Sequence, residues 1–123
     1  MAAILVLDDN QIMRDLLVLM LQDMGHTVEA AGDGVEGIRL NQAHPYDVVI
    51  TDLIMPEKEG LETIIELHKT HPLTKIIAMS GGQNLPLLQA NLKAAAWLGA
   101  LVTLVKPFTP AQLVDALDQV LTK

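Results

Sequence analysis

The sequence predicts an α/β domain built on one parallel sheet of five strands, with helices on both faces. Three observations lead there. Short runs of Ile, Leu, Val and Ala alternate five times with longer segments of helical period, the pattern of repeated strand-helix units. The first, third, fourth and fifth runs are apolar almost throughout, as strands buried on both faces must be. At 123 residues the chain is long enough for one packed core and too short for a second.

In chain order, "AAILVL" is the first strand, and "NQIMRDLLVLMLQDM" is a helix stopped by Gly25. "TVEAA" is a weaker strand suited to a sheet edge, and "GDGVEGIRLNQA" gives a turn and a short helix. The third strand, "YDVVIT", follows His44-Pro45; the loop "DLIMPEKEG", the helix "LETIIELHKT" and the strand "KIIAM" come next. The Gly-rich loop "SGGQNLP" precedes a helix "LLQANLKAAAWL" and the strand "ALVTLV". "KPFTP" opens the last helix, with Thr109 as N-cap and Pro110 at the first position, where a missing N–H costs little. In that helix Leu113, Val114, Leu117, Val120 and Leu121 form one stripe. No repeat, low-complexity tract or linker interrupts the pattern.

Composition narrows the function. Half the residues are apolar, yet there is one Trp, one Tyr and one Phe, so the core is aliphatic. Eight basic against fifteen acidic residues give a net charge of -7, which argues against a nucleic-acid surface and for proteins or cations as partners. The absence of cysteine excludes disulfides and thiolate metal sites. "MAAILVLDDN" has no basic segment before its apolar run, so a cytoplasmic protein is expected. "AAAWLGALVTLV" is too short for the roughly 20 apolar residues of a membrane span. His26, His44, His68 and His71 lack metal-ligand spacing and are expected on the solvated surface.

Open parallel sheets bind ligands at the carboxyl ends of their strands. There the sequence places Asp8 and Asp9 after the first strand, Asp52 after the third, Ser80, Gly81 and Gly82 after the fourth, and Lys106 and Pro107 after the fifth. Three carboxylates, a hydroxyl and an ammonium therefore meet on one edge. Adjacent like charges such as Asp8 and Asp9 call for a cation.

These residues carry a resemblance. "LVLDDN", "VVITDLIMPEKEG" with Met55, Pro56 and Gly60, "IIAMSGG" and "LVKPF" with Phe108, in this order and each at a strand end, are similar to the receiver domain of bacterial two-component response regulators, over essentially the whole chain. The resemblance implies a CheY-like, flavodoxin-like sheet of order 2-1-3-4-5 spanning residues 1–123, with no output domain. It implies Mg²⁺ held by Asp8, Asp9, Asp52 and the backbone carbonyl of Ile54, an all-oxygen set suited to a hard cation. It also implies that Asp52 is the phosphoacceptor, taking a phosphoryl group from a histidine kinase or histidine phosphotransfer domain. Lys106 would stabilise the transferring oxygens and Ser80 would bond one of them afterwards. The family's Lys-Pro bond, here Lys106-Pro107, is cis. Such a protein promotes its own phosphorylation and slow dephosphorylation without being an enzyme, and signals to a downstream protein through its fourth helix, fifth strand and fifth helix. A monomer or weak dimer is expected.

Two features bear on that switch. Three residues before Lys106 the family usually carries an aromatic ring that turns inward; Thr103 stands there instead. The alternative reading is therefore a constitutive protein-binding module little affected by phosphorylation. The first helix is unusually apolar through "LLVLML", which predicts an exposed patch at Ile12, Leu16 and Leu19 on the face that docks the kinase in this family. A haloacid-dehalogenase-like phosphatase is disfavoured because Ile54 stands where its second acid would be. A flavodoxin is disfavoured because Asp8-Asp9-Asn10 replaces a phosphate cradle.

Overall fold

A computed structural model describes residues 2–54, 60–81 and 85–122. Met55, Pro56 and Gly82 of the expected site loops lie outside the described residues. The elements alternate: β1 (Ala3–Leu7), α1 (Gln11–Asp23), β2 (Thr27–Ala31), α2 (Gly34–Ala43), β3 (Val48–Asp52), α3 (Gly60–Thr70), β4 (Lys75–Ser80), α4 (Leu85–Leu98), β5 (Val102–Val105) and α5 (Pro110–Leu121). The strands form one parallel sheet in the order β2-β1-β3-β4-β5, the flavodoxin-like arrangement. As expected, "TVEAA" is an edge strand.

Side chains alternate across a strand, and the two cores follow that alternation. Ile4 and Val6 of β1, Val48 and Ile50 of β3, and Ile77 and Met79 of β4 face Leu17 and Leu21 of α1 and Leu113, Ala116, Leu117 and Val120 of α5. Leu5, Leu7, Val49, Ile76 and Ala78 face the other way, onto Ile38, Ile64, Leu67 and Ala95 of α2, α3 and α4. The central strands are apolar throughout because both of their faces are covered. Truncating a fully buried Leu here, such as Leu17→Ala, should cost about 2–5 kcal/mol.

The helix ends follow the expected chemistry. The Asn10 side chain accepts from Met13 N–H at the start of α1, and Gly25 follows its C-cap with φ at 93°, a conformation that favours glycine. Thr109 and Gln112 form a reciprocal capping box around Pro110.

Four details differ from the expectations. β3 and β4 each run one residue further than read, so Asp52 and Ser80 are the last residues of strands rather than loop residues. α4 starts at Leu85, two residues early, because Pro86 fits a first helical turn as well as a loop. On α5 the buried stripe is Leu113, Ala116, Leu117 and Val120; Val114 and Leu121 are exposed, one residue round the helix from the core. β5 buries only Leu104, since it closes the sheet with a neighbour on one side alone.

Candidate functional site

β1 and β3 are neighbours, with Leu7 opposite Thr51, so the next residues, Asp8 and Asp52, emerge side by side at the carboxyl edge. Both are buried, while Asp9 is exposed. One carboxylate oxygen from each of Asp8, Asp9 and Asp52 lies within 4.8 Å of the others. On the far side of β4, Lys106 leaves β5 and reaches back across the sheet. Its Nζ donates to Asp8 Oδ2 at 2.8 Å and to Asp52 Oδ2 at 3.0 Å.

The backbone fixes this geometry. Lys106 N donates to Ser80 O at 2.8 Å, and Gly81 lets the lysine stem pass: a Cβ on it would lie 3.0 Å from Lys106 Cβ. The Lys106-Pro107 bond is cis. The second oxygen of each buried carboxylate accepts a backbone N–H, Asp8 Oδ1 from Asn10 at 2.9 Å and Asp52 Oδ1 from Ile54 at 3.3 Å. Gly60 supports Asp52 from behind. Any side chain there would collide with the Asp52 carbonyl oxygen and Leu53 Cα.

Burial pushes the Asp52 carboxyl above its ordinary range; hydrogen bonding to the Lys106 ammonium opposes this, and the charge of Asp8 adds to it. Burial alone would lower the Lys106 pKa, but its hydrogen bonds and charge attraction to Asp8 and Asp52 prevail and the net shift is upward. With Lys106 held as the ammonium and paired to Asp8 and Asp52, the three-carboxyl cluster is still acidic on balance. A hard divalent cation matches both that charge and the oxygen-only donor set, so these residues fit Mg²⁺.

Ser80 is 1% exposed, and among the described residues its Oγ has no hydrogen-bond partner. A buried hydroxyl left without one costs about 1–3 kcal/mol, which an arriving acceptor oxygen would recover. Asp9, Met13, Asp52, Ile54, Gly81, Lys106 and Pro107 line a cavity of about 550 Å³ over the acids. A larger hollow of about 770 Å³ lies at the other end of the sheet beside Tyr46, Asp47 and Lys75. Among the described residues it holds no acid cluster, so the chemistry favours the smaller one.

The expected residues otherwise divide clearly. Asp8, Asp9, Asp52, Ser80 and Lys106 come together at the edge. Thr103 pairs with Ala78 in the sheet and is half-buried. Ile12, Leu16 and Leu19 are 82%, 49% and 65% exposed and follow one another at helical spacing on α1. His26 departs from its expected place on the solvated surface: it is half-buried, and its Nδ1 accepts from Ala2 N–H at 3.1 Å, tying the start of β1 to the turn after α1. His44 is exposed and stacks on Tyr46. Sequence reasoning missed Met13 and Arg14. Their positions three and four residues after the Asn10 N-cap, on the first turn of α1, were the available signal.

Comparison with known proteins bears on the same residues. The family model for the response regulator receiver domain matches residues 4–118. The chemotaxis protein CheY of Thermotoga maritima is 35% identical over 119 residues, 95% of either chain. The sensor kinase CckA of Brucella abortus is 36% identical over 124 residues, which are 99% of this chain and 13% of that protein. This chain thus spans a small part of one relative and nearly all of another. A solved response regulator receiver domain protein from Clostridium thermocellum superposes with a TM-score of 0.89 at 31% identity, covering 99% of this chain and 95% of that one. Among the described residues, no helix is long and apolar enough to cross a membrane.

Proposed function

The chain belongs to the response regulator receiver domain family of two-component signalling, and on that premise we propose that Asp52 accepts a phosphoryl group from a partner's phosphohistidine. The observation that carries this is the Lys106 Nζ bridge between Asp8 and Asp52 beneath an open cavity. It fixes one Asp52 oxygen, holds the site's charge and leaves Asp9 and Asp52 lining the cavity. Bound Mg²⁺, on Asp8, Asp9, Asp52 and the Ile54 carbonyl, supplies charge neutralisation for the incoming phosphoryl oxygens. Asp52 is the nucleophile, Lys106 stabilises the developing charge, and the unpartnered Ser80 hydroxyl donates to a phosphoryl oxygen after transfer. The chain promotes its own phosphorylation and slow dephosphorylation in this sense and is not an enzyme. The domain spans residues 1–123.

The exposed α1 stripe at Ile12, Leu16 and Leu19 is proposed to dock the histidine kinase or phosphotransfer domain, with Pro107, which lines the cavity, as part of that interface. A downstream protein would read the face of α4, β5 and α5. Thr103 supports a second reading, constitutive binding, because a short half-buried side chain in β5 has no ring to turn inward.

Intact mass after incubation with acetyl phosphate and Mg²⁺ tests the proposal. A gain of about 80 Da that disappears in Asp52→Asn and in metal-free protein is the expected result for an aspartyl phosphate. No gain, with acetyl phosphate or with a kinase donor, favours constitutive binding.

A further inference from the structure

The turn that carries Asp8 and Asp9 is held from a direction that none of the residues discussed so far provides. Arg14, one turn into α1, reaches back and its Nη1 donates to the Asp8 carbonyl oxygen at 2.8 Å. A peptide group is planar, so fixing that oxygen also fixes the nitrogen and Cα of Asp9, from which the Asp9 carboxylate projects.

Asp8 needs this bond least. Its N–H donates to Ala31 O at 3.2 Å, and its carboxylate is held by Asn10 N–H and by Lys106. Asp9 is exposed, and among the described residues no hydrogen bond holds its carboxylate. Its placement therefore depends on the backbone beneath it. Gly32, in the bend before α2, leaves room for the device: a Cβ there would lie 3.2 Å from Arg14 Nη1, tighter than ordinary contact.

We propose that Arg14 is a positioning residue for divalent-cation binding, fixing the Asp8-Asp9 peptide so that Asp9 is already set to receive the ion. The proposal rests on the reading of Asp8, Asp9 and Asp52 as the Mg²⁺ ligands. Two effects of the guanidinium oppose each other here. Its positive charge, held at the Asp8 carbonyl in the turn that carries two of the acids, disfavours a second cation, whereas its bond to the backbone reduces the freedom Asp9 must lose on binding. Charge alone predicts that removing Arg14 tightens Mg²⁺ binding; positioning predicts that removal weakens it.

The experiment is calorimetric titration of Mg²⁺ into metal-free wild type, Asp9→Asn, Arg14→Ala, Arg14→Lys and Gly32→Ala, with a melting curve of each metal-free protein. The expected result is a Kd raised about tenfold in Arg14→Ala, the usual size for loss of a group that orients a metal ligand. Arg14→Lys should fall between it and wild type. Gly32→Ala keeps the charge but crowds the guanidinium, and should raise Kd by a smaller factor. Should Arg14→Ala fail to fold, Arg14→Lys and Gly32→Ala carry the same test. An unchanged or lower Kd across these variants overturns the proposal, including when the melting temperature falls, which would make Arg14 a structural residue only. If Asp9→Asn binds Mg²⁺ like wild type, the ligand assignment itself fails and the inference falls with it. Asp9-dependent binding that ignores Arg14 sinks the inference alone.

Discussion

Both ends of the parallel sheet carry aspartate, Asp47 before β3 at one end and Asp8, Asp9 and Asp52 after β1 and on β3 at the other, and use it in opposite ways. At the amino end, Asp47 is exposed and belongs to the backbone: its Oδ2 accepts from Ala3 N–H at 2.8 Å, its N–H donates to Ala3 O, and its carbonyl accepts from Lys75 N–H. It ties β1, β3 and β4 together where they begin. At the carboxyl end, Asp8 and Asp52 are buried side by side, Asp9 lies exposed next to them, and one lysine pairs with the two buried ones. One exposed carboxylate makes an ordinary hydrogen bond; three gathered together, two of them buried, form a cluster that could hold a metal ion. Crowding and burial, rather than residue type, separate structural acid from reactive acid.

The strongest way to break this contrast is to remove the lysine. Lys106→Met leaves Asp8 and Asp52 facing each other, and the metal-free protein should lose about 3 kcal/mol in urea unfolding, near the lower limit for a broken buried pair because the lysine side chain is partly exposed. Millimolar Mg²⁺ should restore much of the loss. Adding Asp52→Asn should do so without metal, since one buried carboxylate then has no like neighbour. A loss that neither treatment reverses would mean that the lysine stem, not its charge, supports the fold.

Gly60→Ala attacks the same end through the backbone. Its Cβ collides with the Asp52 carbonyl and Leu53 Cα, so overpacking should cost about 1–3 kcal/mol and slow phosphorylation by acetyl phosphate as Asp52 is displaced. Normal stability and rate together would show that α3 can pull away freely. Asp47→Ala, at the other end, should cost about 1 kcal/mol, one hydrogen bond, and leave the phosphoryl yield at its wild-type value. A lower yield would mean that the two ends are coupled.

The same contrast explains what was legible in the sequence. The alternation of strands and helices, the edge position of β2 and the five residues of the acid site follow from local signals: apolar runs, caps, and polar residues placed where a run stops; the strand order came only with the family resemblance. What escaped depends on neighbours distant in sequence. The exposure of Val105, Val114 and Leu121 is set by where β5 ends the sheet and how α5 rolls upon it, which periodicity reports only to within a residue. His26 looked like a surface histidine because its partner, the Ala2 N–H, is 24 residues away. Arg14 went unremarked because its acceptor is a backbone carbonyl, and carbonyls leave no trace in a sequence.

The smallest expected effect sharpens the comparison by pH. Tyr46, at the amino end, has its phenol pushed up to about 12, first by burial and then by its hydrogen bond to Glu29 and that carboxylate's charge. The folded state therefore holds the phenolic proton more tightly than the unfolded chain, whose phenol titrates near 10. Below pH 10 both states are protonated and the shift contributes nothing; between about 10 and 12 the unfolded chain loses its proton first, so stability falls as pH rises. Tyr46 is the only tyrosine, so near-ultraviolet phenolate absorbance reads it without overlap from another phenol. The midpoint should lie near 12 in native protein and fall in Glu29→Gln, yet stay above 10 because burial, the larger cause, remains. A midpoint of 10 in the folded variant would assign the whole shift to Glu29. In either case the Tyr46 phenol titrates far from neutrality. At the carboxyl end burial raises the Asp52 carboxyl, the Lys106 ammonium opposes that rise and the charge of Asp8 adds to it, so crowding tunes an acid there where burial tunes a phenol at the other end.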